Sequence, residues 1–273
     1  MTFNENEIDW LAGVLADAAK AEIMPRFRKL DAGDIKQKTT AYDLVTEADI
    51  NAEKYITRVL SEKYPDAIVL GEEAVSAGTA HLESLHDADL AFVIDPVDGT
   101  YNFASGVPLF GVMMSVLAKG ETVAGIIYDP MGQDYIMTVR GGGAYHVQAG
   151  HRRALKVAAA KDVSQMLGSV SWQYMQEPLR SKIAGNQAKF MSQIGYRCAA
   201  HEYRLLADGH AHFAVYNKLM PWDHLAGSLI HAEAGGYAAR FDGSHYLPQH
   251  VDGGLIVAPD QESWHAIKAT LWS

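Results

Sequence analysis

One cysteine, Cys198, is all that 273 residues provide. An intrachain disulfide framework is therefore excluded, and the thiol, which fits a reducing compartment, is expected to be a packed side chain. Long apolar runs are missing too. No stretch reaches the ~18 residues that span a bilayer, and Met1-Thr2-Phe3-Asn4-Glu5 has neither the basic nor the apolar part of a signal peptide, so the protein is expected in the cytoplasm. Positive charge is scarce: 23 Lys and Arg face 33 Asp and Glu, a net charge of −10. That argues against a general nucleic-acid surface, which works by neutralising phosphates. What is abundant is core material. Hydrophobic residues make up 48% of the chain, enough for one large domain or two closely joined lobes, and disorder is not indicated.

Against that background one stretch stands out, Val93-Ile94-Asp95-Pro96-Val97-Asp98-Gly99-Thr100-Tyr101-Asn102-Phe103. The apolar run from Leu90 to Ile94 predicts a short buried strand that stops at two carboxylates, Asp95 and Asp98, with Pro96 between them. Pro96 has no N–H and is expected to break the ladder, while Gly99 allows the next tight bend and a close backbone approach. In such an elbow both acids can point to one spot, beside N–H groups of Gly99 and Thr100 that suit an anion. Acids beside an anion cradle imply a hard cation between them, and Mg²⁺ takes carboxylate and phosphate oxygens. The plainer alternative is a solvated acidic turn, since Asp, Pro and Gly are ordinary turn residues.

Apolar residues at Ile8, Leu11, Leu15, Ala18, Ala19 and Ile23 predict a helix over residues 8–27, ended by Pro25. The stretch from Lys36 to Asp49 leads into a second helical period at Ala52, Ile56, Val59 and Leu60, where Thr46 or Asp49 is a candidate cap. Ala67 to Leu70 reads as a strand ending in Gly71-Glu72-Glu73, and residues 74–89 as a surface loop. Beyond the elbow, strands at 111–118, 122–128, 135–139 and 144–147 predict an antiparallel meander. The triple glycine 141–143 is a turn rather than a phosphate loop, because no Gly-Lys-Ser/Thr follows. Strands near 166–171, 211–216 and 254–258 then alternate with helices near 177–189, 199–207 and 262–272, in two mixed layers. A further helix is expected to start at Pro221 and Asp223, where capping is one role for the acid. His224 and His231 lie one above the other on it, but with no third nitrogen or sulfur ligand nearby a zinc site is not favoured.

Four of these stretches together resemble the inositol monophosphatase family, Mg²⁺-dependent and lithium-sensitive sugar-phosphate phosphatases. The elbow matches D-P-[ILV]-D-G-T-x-N-F at every position. Lys36 to Asp49 resembles K-x-x-x-x-D-[LV]-V-T-x-x-D, Gly71-Glu72-Glu73 resembles G-E-E, and Trp222 to Gly236 resembles W-D-x-A-A-[GA]…E-A-G-G with Leu225 for a common alanine. The resemblance covers about residues 8–270, and its motifs come in the family order. It implies an α/β (α+β) fold, the layered α/β/α/β/α sandwich of the sugar phosphatases. Residues 1–150 would form an α+β lobe with most metal ligands, and 151–273 an α/β lobe with Asp223 and the substrate pocket, as one catalytic unit. Mg²⁺ would be held by Glu72, Asp95, the Val97 carbonyl, Asp98 and Asp223. Thr100, with Glu72 or Asp49, would orient the attacking water, and the Gly99 and Thr100 N–H groups would hold the phosphate. A homodimer is implied as well. Independently of the family, carboxylates gathered within a few ångströms raise one another's pKa and stay ionised together only beside divalent cations.

The substrate implied is inositol 1-phosphate and similar small phosphomonoesters. Relatives with the same metal core act on 3′-phosphoadenosine nucleotides, fructose bisphosphate or histidinol phosphate, and some bacterial relatives bind the transcription machinery. In animal family members a Glu seven residues before the Asp of W-D accepts hydrogen bonds from ring hydroxyls; that position here is Tyr216. A phenol brings no charge and a flat apolar face, so polyol recognition is expected to weaken. Arg197, just before a stretch expected to line the pocket, is either a solvated helix cap or a grip on a second anionic group.

Overall fold

The helical spacing of the opening segment is realised as α1 (Glu5–Ala18), capped by Asn4 with Glu7 answering it, and a wider π-turn over Ala19–Ile23 continues it in place of one uninterrupted helix. The computed structural model describes residues 3–38, 44–86 and 88–273. Residues 39–43, with Asp43 of the second motif, and Asp87 lie outside the described residues. Strands β1 (Ile35–Gln37) and β2 (Leu44–Thr46) pair antiparallel just before α2 (Glu47–Lys63).

A seven-stranded sheet follows in chain order: β3 (Ile68–Gly71), β4 (Leu90–Asp98), β5 (Gly111–Ala118), β6 (Glu121–Asp129), β7 (Asp134–Val139), β8 (Ala144–Gln148) and β9 (His151–Ala154). The β3/β4 pair is parallel and the rest is the expected meander, lengthened by β9. Short helices α3 (Glu72–Ser76) and α4 (Thr100–Ala104) leave the ends of β3 and β4. The second half holds β10 (Leu167–Val170), α5 (Leu179–Asn186), β11 (Ser192–Ile194), α6 (Ala199–Ala207), β12 (Phe213–Tyr216), α7 (Pro221–Glu233), β13 (Tyr237–Arg240), β14 (Leu255–Ala258) and α8 (Gln261–Trp272). Its five strands form a mixed sheet in the order β11-β10-β12-β14-β13.

Packing sorts these elements into five layers. Helices α1 and α2 cover one face of the large sheet, α6 and α7 lie between the two sheets, and α5 and α8 cover the outer face of the small one. This is the α/β/α/β/α sandwich. The middle layer sits tight because β6 carries Gly125 under α7: a Cβ there would meet the Ala226 backbone at 2.9 Å. Each side of the large sheet has its own core. Ile8, Leu11, Leu15, Ile56 and Phe92 pack on the α1/α2 side, and Met113, Ile127, Tyr203, Ala226 and Ile230 join large sheet, middle helices and small sheet on the other. Among the described residues no helix is long and apolar enough to cross a membrane.

Several expectations change. The strand before the elbow does not stop at Asp95: β4 runs to Asp98, and the ladder gap that Pro96 imposes is absorbed by a bulge in the pairing with β5 between Asp95 and Asp98. The segment after Glu73 is not all surface loop. Part of it is α3, and Leu85 and Ala88 are buried against Trp222 and Leu225. Asp223 is not a cap, since Met220 is the N-cap of α7 and no side chain bonds there. Arg197 is not one either, because Cys198 holds that place on α6.

His224 and His231 are buried structural side chains. His224 Nε2 lies 3.0 Å from the Lys218 carbonyl and His231 Nε2 lies 2.9 Å from that of Ala258. Burial pushes the pKa of each down to about 4. The unfolded chain, with histidines near 6.5, therefore takes up protons that the fold refuses. The stabilising contribution is complete above that value and is lost as pH falls toward 4, at up to about 1.4 kcal/mol per pH unit for each histidine. His231→Gln, which keeps an N–H for the Ala258 carbonyl, is expected to remove about one proton from the slope of unfolding free energy against pH between about 4.5 and 6.5. Urea unfolding across that range reads it, and an unchanged slope contradicts the assignment.

Candidate active site

The parallel pairing of β3 and β4 sets the first contact of the site. Gly71 is in register with Ile94, so the next residues, Glu72 and Asp95, emerge side by side at the sheet end. Asp223, from the first turn of α7, closes the group from the middle layer. One carboxylate oxygen from each of the three lies within 4.8 Å of the others. Asp95 is 2% exposed and its Oδ1 accepts from the Val97 N–H at 3.0 Å. Burial, and then the charges of Glu72, Asp98 and Asp223, push Asp95 well above the usual carboxylate range. Asp223 moves the same way through burial, Glu72 and Asp98, with Lys218 offsetting part. Three hard oxygen donors that cannot share their negative charge unaided are a set that fits Mg²⁺ or a similar divalent cation.

Asp98 stands in the same cleft but is held differently. Its Oδ2 accepts from the Ala200 N–H at 2.5 Å and from the Cys198 thiol at 3.0 Å. Cys198 is thus more than packing, and burial beside Asp98 pushes its own pKa well up. The close approach depends on Gly99, whose φ of 88° is left-handed and where a Cβ would lie 2.9 Å from the Leu109 carbonyl. Asn102 ties the elbow down by donating to the carbonyls of Leu109 and Tyr196, at 2.9 and 2.7 Å. The Val97 carbonyl lines the cleft and accepts from the Thr100 hydroxyl at 3.0 Å.

Asp49 is brought to the site only through its neighbours. It is 1% exposed; Oδ2 accepts from the Thr46 N–H and hydroxyl at 2.9 and 2.5 Å, and Oδ1 from the Thr100 hydroxyl at 2.9 Å. Both sequence readings of this acid hold in part, since Thr46 is the N-cap of α2 and Asp49 completes its capping box. Burial lifts Asp49 to about 6 despite those bonds.

Two further side chains complete this end: Glu53, which the sequence did not single out, and Lys38, the lysine of the second motif, to which sequence reasoning assigned no role. Glu53, on α2, accepts from the N–H groups of Glu73 and Ala74 at 2.7 and 2.8 Å, capping the short helix that presents Glu72. An acid on the buried stripe of α2 was its available signal. Lys38 Nζ lies 2.9 Å from Glu72 and 2.6 Å from Glu73. Burial pulls the Lys38 ammonium down, but the two glutamates outweigh it and the net shift is upward. Glu73 rises to about 8, through burial and Glu72 against the pull of Lys38.

These groups line a cleft of about 200 Å³ that continues past Arg197, Glu202, Tyr216 and Lys218. The Arg197 guanidinium sits 4.4 Å from the centre of the Tyr101 ring. Tyr216 does not offer a flat face to the cleft. Its ring stacks on Tyr203 at 5.5 Å and packs against His224 at 4.5 Å, so both neighbours cover it.

The family model described as "Inositol monophosphatase family" matches residues 5–273. "Nus factor SuhB" of Haemophilus influenzae is 31% identical over 244 residues, covering 88% of this chain and 86% of that protein. The protein of the same name from Pseudomonas aeruginosa is 30% identical over 263 residues, covering 94% and 92%. Among solved structures, Thermotoga maritima IMPase superposes with a TM-score of 0.81 over 97% of this chain and 98% of that one, at 23% identity, which shows the shared fold. The chain belongs to the inositol monophosphatase family.

Proposed function

We propose that the protein is a Mg²⁺-dependent phosphomonoesterase acting on inositol 1-phosphate and similar small phosphates. The observation that carries this reading is the trio Glu72, Asp95 and Asp223, with carboxylate oxygens within 4.8 Å of one another at the end of a parallel strand pair. In this reading the trio holds the cation together with the Val97 carbonyl and the remaining oxygen of Asp98. When bound, Mg²⁺ supplies the charge that neutralises the phosphoryl group and activates water, so that no covalent phosphoenzyme is needed. The protein's own groups do the positioning. Thr100, its proton given to Asp49 or Val97, keeps lone pairs that orient a water in the cleft. Asp49 acts through Thr100 as a positioning residue. The Gly99 and Thr100 N–H groups hold the phosphate, and Arg197 faces the far part of the substrate. Sensitivity to lithium and a homodimeric unit belong to the same reading.

A second reading has one observation in its favour, the name "Nus factor" carried by relatives at 30–31% identity. A role in a transcription complex is compatible with an intact acid site, and affinity capture of transcription proteins by the purified chain tests it.

Asp95→Asn is expected to lower phosphate release in Mg²⁺ by roughly a thousandfold while the fold persists. In chelator the same substitution removes a buried like charge, and its Tm is expected to rise by roughly 2–6 °C over the parent. Turnover near the parent value in Mg²⁺, or a lower Tm in chelator, contradicts the assignment. Across a panel of inositol 1-phosphate, glycerol 2-phosphate and 3′-phosphoadenosine 5′-phosphate, the expected kcat/KM values span less than about a hundredfold. Absence of release from every member sinks the phosphatase reading.

A further inference from the structure

We propose that the cavity beside the acid cleft receives the alcohol part of an ester that carries an aromatic ring and a second negative charge. Tyr174 stacks on the ring, and Lys218 and Arg180 hold the charge. The proposal deepens the phosphatase reading and rests on it. The acid cleft has a volume of about 200 Å³, and the space that adjoins it one of about 890 Å³. Ser171, Gln173, Tyr174, Arg197, Glu202 and Lys218 line both. A group esterified to a phosphate held at the acids leaves the cleft past these residues and enters the larger space.

Tyr174 is a large aromatic side chain left 54% exposed at this junction. It ends a short 3-10 turn, Trp172–Tyr174. Its carbonyl accepts from the Asn217 side chain at 3.0 Å, which ties the turn to the connection between β12 and α7. The backbone is held while the ring stays open. Among the described residues that ring meets no other ring and no cation, and its hydroxyl makes no hydrogen bond. A ring fixed at its root and bare on its face is a surface on which a second ring stacks. Val170 and Ile194 add apolar surface to the same cavity.

In a chain with a net charge of −10, the wall of this cavity is basic. Arg180, Arg197 and Lys218 line it against one acid among the described residues, Glu202. Glu202 is 8% exposed, and its oxygens are engaged by the Ser169 hydroxyl at 2.9 Å, the Tyr216 hydroxyl and the Tyr196 N–H. Neither Arg180 nor Lys218 forms an ion pair among the described residues. Both are nevertheless positioned. The Arg180 guanidinium lies 5.4 Å from the centre of the Trp172 ring, and the Lys218 carbonyl lies 3.0 Å from His224 Nε2. Cations without acid partners on a cavity wall suit a negative group on the ligand. A polyol needs no such charge, and a cationic alcohol part is repelled.

The test measures kcat/KM in Mg²⁺ for three esters whose leaving alcohols are of similar acidity: propyl phosphate, 2-phenylethyl phosphate and 2-(4-carboxyphenyl)ethyl phosphate. In the parent the carboxylated ester is expected to exceed propyl phosphate roughly tenfold or more, with the phenyl ester between them. Tyr174→Ser is expected to bring the ratio of phenyl to propyl ester close to one, and Tyr174→Phe to keep it. Arg180→Gln combined with Lys218→Gln is expected to remove the further gain from the carboxylate and to keep the gain from the ring. All three side chains are exposed, so the variants are expected to fold. A parent that treats the three esters alike within about twofold, or a preference that survives Tyr174→Ser and the double change, overturns the proposal while the phosphatase reading stands. A parent that hydrolyses none of the three, and leaves inositol 1-phosphate untouched as well, overturns the phosphatase reading and this proposal with it.

Discussion

Mutual repulsion among buried acids is the constraint on which this structure turns. Glu72, Asp95 and Asp223 approach within 4.8 Å, and burial with like charges pushes Asp95 and Asp223 well above the ordinary carboxylate range. A fold left to maximise its own stability would not gather them, because each unpaired buried charge costs several kcal/mol. The surroundings show how the cost is contained. Lys38 supplies a positive charge at Glu72 and Glu73, and Asp98 is steadied by a thiol and a backbone N–H. In the proposed reading, what remains uncompensated is the binding energy the site holds ready for a cation.

The rest of the architecture keeps that arrangement in place. A parallel pair at the edge of an otherwise antiparallel sheet sends two acids out of the same end, and a bulge at Pro96 turns Asp98 toward α6. The middle helices must then lie close enough to deliver Asp223, which Gly125 beneath Ala226 permits. Glu53 fixes the start of α3, and Asp49 with Thr46 fixes the start of α2 while holding Thr100. Helix capping and the positioning of reactive groups are here the same hydrogen bonds.

Much of this was legible in the sequence where the signal was local. The meander and the elbow follow from short-range alternation and turn chemistry, and α6 occupies the residues that its spacing predicts, 199–207. Strands β1, β11 and β13 were missed because their residues are mostly half-buried or exposed and form no buried apolar run, unlike the equally short β12 and β14. Contacts between distant elements were hidden for a different reason. Glu53 and Lys38 each gain their role from a partner brought in by tertiary packing. Cys198 was read as packing because a lone thiol gives no hint that it will donate to Asp98. The ring of Tyr216 read as a free face for the same reason, its covering residues lying on α6 and α7.

The central claim is that the three acids bind one divalent cation as a unit. Electron paramagnetic resonance of Mn²⁺ titrated into the purified protein tests it directly, because free and bound ion give different signals. The parent protein is predicted to quench the free-ion signal, and Glu72→Gln and Asp223→Asn are each predicted to restore most of it at the same concentrations. Quenching that survives both substitutions undiminished would contradict the account.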